Sequence, residues 1–142
     1  MAIKEQIKDY LSQTSRNRLV FCHEHIDGLI YVDVGRTMSE SLAKENLRSP
    51  MIAYAAEDLL SDILSATNVD SSIGCYIALE NIGILFEPEL GFNLRTVFEN
   101  TSTNKTLIIC YGGHIYNNDF YFLTDNDVSN INLQGLSYLE IK

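Results

Sequence analysis

Four short, mostly apolar runs constrain the fold of this chain more than any other feature. They read RLVFC (18–22), GLIYVDV (28–34), IGCYIAL (73–79) and KTLIICY (105–111). A strand that is apolar on both faces must be buried on both, and helices are the elements that usually cover it. Because helical patterns lie between the runs, we predict an α/β fold with a mostly parallel sheet that helices cover.

The helical patterns are marked by spacing and by capping residues. Residues 2–13 carry apolar side chains at helical intervals, and residues 49–66 form the longest such pattern. Thr37 and Glu40 have the spacing of a capping box, which predicts a helix start at Thr37. A further short helix is predicted after Asn93, whose side chain can cap it.

The end of the chain has a different pattern, in which polar and aromatic residues alternate. We predict a hairpin that turns at residues 117–119 and a last edge strand at 136–141. The expected organisation is a single domain over residues 1–142, with a parallel core at 1–112 and an antiparallel extension of the sheet edge at 113–142.

Composition limits the classes of function. The chain has 142 residues, of which 46% are hydrophobic, so it can bury a core, and its net charge is -9. This acidity disfavours binding to a phosphate backbone and favours a protein partner with a basic surface. No apolar segment is long enough to span a membrane, and the first residues lack the apolar stretch of a secretory signal. We therefore expect a cytoplasmic protein.

The three cysteines support the same compartment. Cys22, Cys75 and Cys110 each lie inside an apolar run, their number is odd, and no C-x-x-C motif is present. We predict that all three are buried, reduced thiols.

An acid and an amide, Glu80 and Asn81, follow the third apolar run directly. P-loop NTPases place a magnesium-binding acid at the end of such a strand, but they also need the phosphate loop G-x-x-x-x-G-K-[ST]. The sequence does not contain this motif, and the first run is followed instead by HEHIDG (23–28). Its acids, Glu24 and Asp27, would repel a triphosphate.

Residues 29–123 resemble the small P-loop protein of type 3 BREX phage-defence systems. Three segments carry the resemblance: YVDVGRTMSESL, IALENIGILFEPEL and STNKTLIICYGG. The family's acid corresponds to Glu80, whereas Gly83 stands where the family often has a second acid, and the phosphate loop with its helix is missing. The resemblance implies that the mostly parallel sheet has P-loop-like strand order, and it implies a phage-defence setting, but it does not carry over nucleotide binding.

Each residue in the acidic segment has two interpretations. Glu80 could bind magnesium, or it could be a solvated or hydrogen-bonded carboxylate, which we favour because the phosphate cradle is missing. Asn81 could bond the local backbone and bend the chain. Glu87 and Glu89 could bind a partner's arginine, although Pro88 more simply starts a helix or turn that the two acids favour.

His23 and His25 would face one side of a continued strand, and His114 could complete a zinc site with them. A polar loop is the simpler interpretation, and we predict no metal and no cofactor. Cys22 adjoins His23, but neighbouring residues of a strand point to opposite faces, so we predict no cysteine nucleophile there or at Cys110.

The aromatic tail, which includes Tyr116, Phe120 and Tyr121, is not expected to bind nucleic acid, because no Lys or Arg occurs between residues 106 and 141. With Glu80, Asn81, Glu87 and Glu89, these residues are the candidate partner-binding set.

We therefore predict a non-catalytic, protein-binding subunit on a degenerate P-loop-like scaffold. The alternatives are a small acidic inhibitor or immunity protein that blocks a basic site, and a residual magnesium-nucleotide binder that uses Glu80.

Overall fold

The computed structural model describes residues 2–13, 16–45, 51–87, 90–122 and 130–141. Its helices are α1 (Ile3–Leu11), α2 (Val34–Glu45), α3 (Met51–Ser65), a 3₁₀ helix (Ile82–Phe86) and α4 (Leu94–Asn104). Its strands are β1 (Leu19–Cys22), β2 (Tyr31–Asp33), β3 (Asn68–Asp70), β4 (Gly74–Glu80), β5 (Thr106–Cys110), β6 (Gly113–Tyr116), β7 (Asp119–Phe122), β8 (Asn130–Asn132) and β9 (Tyr138–Glu140).

The main sheet has the order β2-β4-β5-β1-β9, and these strands are all parallel. The predicted class, a mostly parallel α/β sheet flanked by helices, is confirmed. β3 pairs antiparallel with the first half of β4. β2 pairs with the second half of β4, so β2 and β3 lie end to end along the same edge.

The tail departs from the prediction in two ways. The strands β6, β7 and β8 form a separate antiparallel sheet rather than an extension of the main sheet edge. β9 is the predicted last edge strand of the main sheet, but it pairs in parallel with β1 rather than antiparallel. The predicted hairpin is confirmed, but its turn is one residue shorter than predicted: it consists of Asn117 and Asn118, which have φ of 50° and 65°, and Asp119 begins β7.

The second sheet takes the place of a covering helix on one face of the main sheet. Phe120 and Ile131 lie in the same core cluster as Phe21 and Phe98, and the Phe21 and Phe120 rings are 5.0 Å apart. Burying these side chains requires the small sheet to lie over the main sheet, which an edge extension does not allow. Helices α2, α3 and α4 cover the rest of this face. The opposite face is covered by α1 and by the connection 23–30.

Helix α2 begins at Val34, directly after β2, so the predicted capping box at Thr37 is wrong. The carboxylate of Asp33 accepts the N–H of Arg36 at 2.9 Å and takes the capping role. The predicted cap at Asn93 is confirmed, since its Oδ1 accepts the N–H of Thr96 at 3.2 Å. The predicted start of α3 at residues 49 and 50 lies outside the described residues.

The cysteine prediction is partly wrong. Cys22 is buried and Cys110 half-buried, but Cys75 is exposed because it pairs with Val69 of the short strand β3 at the sheet edge. All three are free thiols. In the described part of the chain, no helix has both the length and the apolar character needed to cross a membrane.

Candidate functional sites at the strand ends and on the small sheet

The carboxyl ends of the parallel strands bring the polar residues at the ends of four of them to one edge. Cys22 of β1 lies beside Cys110 of β5, and Asp33 of β2 lies beside Glu80 of β4. In open α/β sheets, ligands bind outside this edge. It is therefore the first place to look for a site.

The carboxylate of Glu80 is hydrogen-bonded rather than free. Its Oε2 is bonded to Nε2 of His25, which comes from the connection between β1 and β2. The His25 ring stacks on Tyr31, with 4.1 Å between ring centroids and an angle of 7°. The stack fixes the imidazole where it bonds the acid. Glu80 therefore has the hydrogen-bonded form that the sequence favoured.

Asn81 explains why an amide follows the acid. It has φ of 53°, the left-handed conformation that turns the chain out of β4 into the 3₁₀ helix. Its Nδ2 donates to Asp33 Oδ1 at 2.7 Å, and its carbonyl accepts the N–H of Gly35 at 2.9 Å. The N–H of Arg36, and next to it the Asn81 amide, lower the pKa of Asp33. The side-chain amide and the carbonyl of Asn81 therefore hold the end of β4 against the start of α2.

The connection 23–30 fills the position where a phosphate loop would begin. Ile26 is buried, and its N–H donates to the Tyr31 hydroxyl at 3.0 Å. Nδ1 of His23 bonds the carbonyl oxygen of Tyr111 at 3.2 Å. The acids Glu24 and Asp27 are exposed. An anion that approached this edge would meet both carboxylates.

The two thiols at this edge are not activated. Cys22 Sγ donates to the carbonyl of Ile109 at 3.6 Å, and burial raises the pKa of Cys22 to about 12. Burial also raises the pKa of Cys110, and the nearby Glu80 carboxylate adds to this effect. A thiol with a raised pKa stays protonated at neutral pH and is a poor nucleophile.

The three histidines do not converge. His114 stacks on Tyr121 in the small sheet, with 4.9 Å between centroids, whereas His23 and His25 lie at the end of β1. The strand ends at Cys22, so the predicted alignment of His23 and His25 on one strand face does not arise. Among the described residues, no group of three His, Cys, Asp or Glu side chains could hold a metal ion.

The small sheet has one apolar face and one polar face. Opposite residues of antiparallel strands share a face, so the pairs Ile115–Phe120 and Phe120–Ile131 lie inward. We call the outward set the polar face: His114, Tyr116, Asp119, Tyr121, Asn130 and Asn132. Its side chains are aromatic, amide or acidic.

The structure exposes some of the candidate partner-binding residues and buries others. Tyr116 is 66% exposed, and Tyr121 is half-buried on the polar face. Phe120 is 0% exposed, so its proposed contact with a partner is wrong. Glu87 is exposed after the 3₁₀ helix, and Glu89 lies outside the described residues.

Sequence reasoning missed two members of the polar face, Asn130 and Asn132, because β8 was not predicted. The alternating pattern Asn130-Ile131-Asn132 is the signal that could have indicated a half-buried strand there.

The chain was compared with protein-family models, with curated proteins and with solved structures, and none of the three comparisons finds a match.

Proposed function

We propose that this chain is a non-catalytic, protein-binding subunit on a degenerate P-loop-like scaffold, and that it belongs to a prokaryotic phage-defence complex. The observation that carries the proposal is the bond between His25 and Glu80. This hydrogen bond engages Glu80, the carboxylate that resembles the magnesium-binding acid of BREX P-loop proteins. The resemblance over residues 29–123 supports the defence setting.

The residues at the carboxyl ends of the parallel strands favour a scaffold that does not bind nucleotides. A triphosphate needs backbone amides and a lysine around it. Here the connection 23–30 presents the carboxylates of Glu24 and Asp27 and packs Ile26 into the core. Opening this connection for a nucleotide would expose Ile26 and break the bond of His25 to Glu80.

The polar face supports protein binding. Tyrosine offers a large contact area with little side-chain entropy, and Asn adapts its hydrogen bonds, which is why both are frequent in binding surfaces. Tyr116 and Tyr121 lie on this face with Asp119 between them in sequence. With a net charge of -9, the chain favours a partner whose contact surface is basic.

The proposal is tested by co-purification from the native host with the double variant Tyr116→Ala/Tyr121→Ala. We expect a stoichiometric partner with a basic contact surface, and recovery of this partner at least tenfold lower with the variant. Tyr54→Ala is the matched control, because Tyr54 is 67% exposed and lies on α3, which is not part of the small sheet. Equal recovery with all three proteins would contradict the proposed surface.

The acidity also favours the second function, an inhibitor that blocks a basic site such as a nuclease cleft. The two differ in a mixing experiment. An inhibitor abolishes the enzymatic activity of its partner in stoichiometric mixture, whereas a subunit of a defence complex forms the complex and leaves that activity in place.

A further inference from the structure

The outer edge of β9 presents main-chain groups that form no hydrogen bond within the part of the chain that the structure describes. The N–H of Ile141 donates to the carbonyl of Phe21 at 2.8 Å, so residues 139 and 141 direct their main-chain groups toward β1. Because these groups alternate along a strand, those of Tyr138 and Glu140 point away from β1. Among the described residues, no strand pairs with this edge.

A groove runs beside this edge. Its volume is about 580 Å³, and one wall is the face of α1 that carries Asp9, Tyr10 and Gln13. The other wall is the segment 136–139, with Asn118 of the β6–β7 turn at one end. The hydroxyl of Tyr138 donates to Oδ1 of Asn118 at 2.9 Å, which ties the turn to the strand. A free strand edge beside a helix has the shape that an added strand requires.

The charge around the groove is acidic. Asp9 lines it, Glu140 lies on the same free edge, and the described lining residues include no Lys or Arg. A second copy of this chain would bring the same acids and a net charge of -9 to the contact. Charge therefore favours a basic occupant over a second copy.

We propose that β9 accepts an extended, basic segment of a protein partner as an added strand, held between its outer edge and α1. Main-chain hydrogen bonds to Tyr138 and Glu140 supply the affinity, and Asp9 with Glu140 favours positively charged side chains. The inference rests on the proposed function for the basic character of the partner. It names a different contact from the polar face.

The test distinguishes the contribution of the main-chain hydrogen bond to peptide binding from that of the Glu140 side chain. Glu140→Ala and Glu140→Pro remove the same carboxylate, but only proline removes the N–H that points outward. Proline is tolerated on edge strands in this orientation, because the bonds of residues 139 and 141 to β1 remain. The probe is a labelled, extended peptide of alternating lysine and valine, and binding is measured by fluorescence anisotropy at low salt.

We expect the peptide to bind the wild-type protein, and Glu140→Pro to bind about fivefold or more weakly than Glu140→Ala. Asp9→Lys should also weaken binding, whereas Tyr116→Ala should leave it unchanged. Thermal unfolding of both Glu140 variants controls for folding. If Glu140→Pro does not fold, a peptide N-methylated at alternate residues replaces it and should bind the wild-type protein at least fivefold more weakly than the parent peptide.

Three outcomes would overturn the inference. The peptide does not bind, Glu140→Pro binds as well as Glu140→Ala, or the wild-type protein is a dimer that Glu140→Pro dissociates, which makes a second copy the occupant. None of these outcomes changes the recovery of a partner through Tyr116 and Tyr121, so the failure of this inference and of the proposed function can be told apart.

Discussion

For the substitution Gly35→Ala, the structure and helix propensity predict opposite changes in stability. Gly35 is the second residue of α2, and alanine is favoured over glycine inside a helix by about 1 kcal/mol. Propensity alone therefore predicts that Gly35→Ala stabilises the protein. The structure predicts the opposite, because a Cβ at this position would lie 2.6 Å from Nδ2 and 3.0 Å from the carbonyl oxygen of Asn81.

The expected cost follows from the contacts that must yield. Asn81 cannot move far, because its amide bonds Asp33 and its carbonyl accepts the N–H of Gly35 itself. Overpacking of this kind costs about 1–3 kcal/mol, and the propensity gain offsets about 1 kcal/mol of it. We expect Gly35→Ala to lower the free energy of unfolding by about 1 kcal/mol, measured by urea denaturation.

A double-mutant cycle checks the cause. Asn81→Gly removes the side chain that clashes and keeps the left-handed conformation without strain. In that background, Gly35→Ala should cost less than in the wild-type protein. The reasoning is refuted if Gly35→Ala stabilises the wild-type protein, or if its effect is the same in both backgrounds.

Three further predictions concern stability. Tyr111→Phe should raise the free energy of unfolding by about 1 kcal/mol in urea denaturation, because the buried Tyr111 hydroxyl has no hydrogen-bond partner among the described residues; a loss of stability would contradict this. Asn17→Ala should lower the free energy of unfolding by about 1 kcal/mol in the same assay, because it removes two hydrogen bonds of the buried Nδ2, to Ser102 Oγ at 3.1 Å and to the Glu99 carbonyl at 3.2 Å, while the loss of Oδ1, which has no partner among the described residues, offsets part of the cost; an unchanged midpoint would be inconsistent with it. The hydrogen bond from Lys4, and next the N–H of Ser72, lower the pKa of Asp70. The stability that the Asp70 carboxylate contributes is therefore complete above about pH 4 and is lost as the pH falls below this value. Urea denaturation of Asp70→Asn between about pH 6 and pH 3 should therefore show a difference from wild type that narrows with acid, and a constant difference would argue against this.

The central strands β1 and β5 of the main sheet could be predicted because they are apolar on both faces. Residues 19–22 and 106–110 are almost wholly buried, and such apolar runs can be recognised as strands with few other signals. The strands β3 and β8 could not be found in this way, since each has three residues and is polar at two positions. Such short strands form because a longer neighbour pairs with them.

The error at Phe120 follows from the bounds of the predicted turn. A turn over residues 117–119 places Phe120 opposite the exposed Tyr116, since residues at equal distance from the turn lie opposite each other. In the structure the turn is one residue shorter and Asp119 begins β7, so Phe120 pairs with Ile115, an apolar residue, and shares its inward face.

The network around Asn17 and the pairing of His25 with Glu80 could not be predicted. His25 and Glu80 are 55 residues apart, and Asn17 and Ser137 are 120 apart. Pattern and propensity report on local structure, whereas these contacts exist only after the strands have been ordered in the sheet. Asn17 also lies in a polar stretch, where a buried residue has no sequence signal.

The most direct test of the proposed loss of nucleotide binding is calorimetric titration of the protein with magnesium and ATP, together with the variants His25→Ala and Glu80→Ala. Because His25 bonds the acid and the connection 23–30 presents carboxylates, we predict no measurable binding by the wild-type protein at millimolar ATP. Saturable, magnesium-dependent binding that Glu80→Ala abolishes would contradict this prediction.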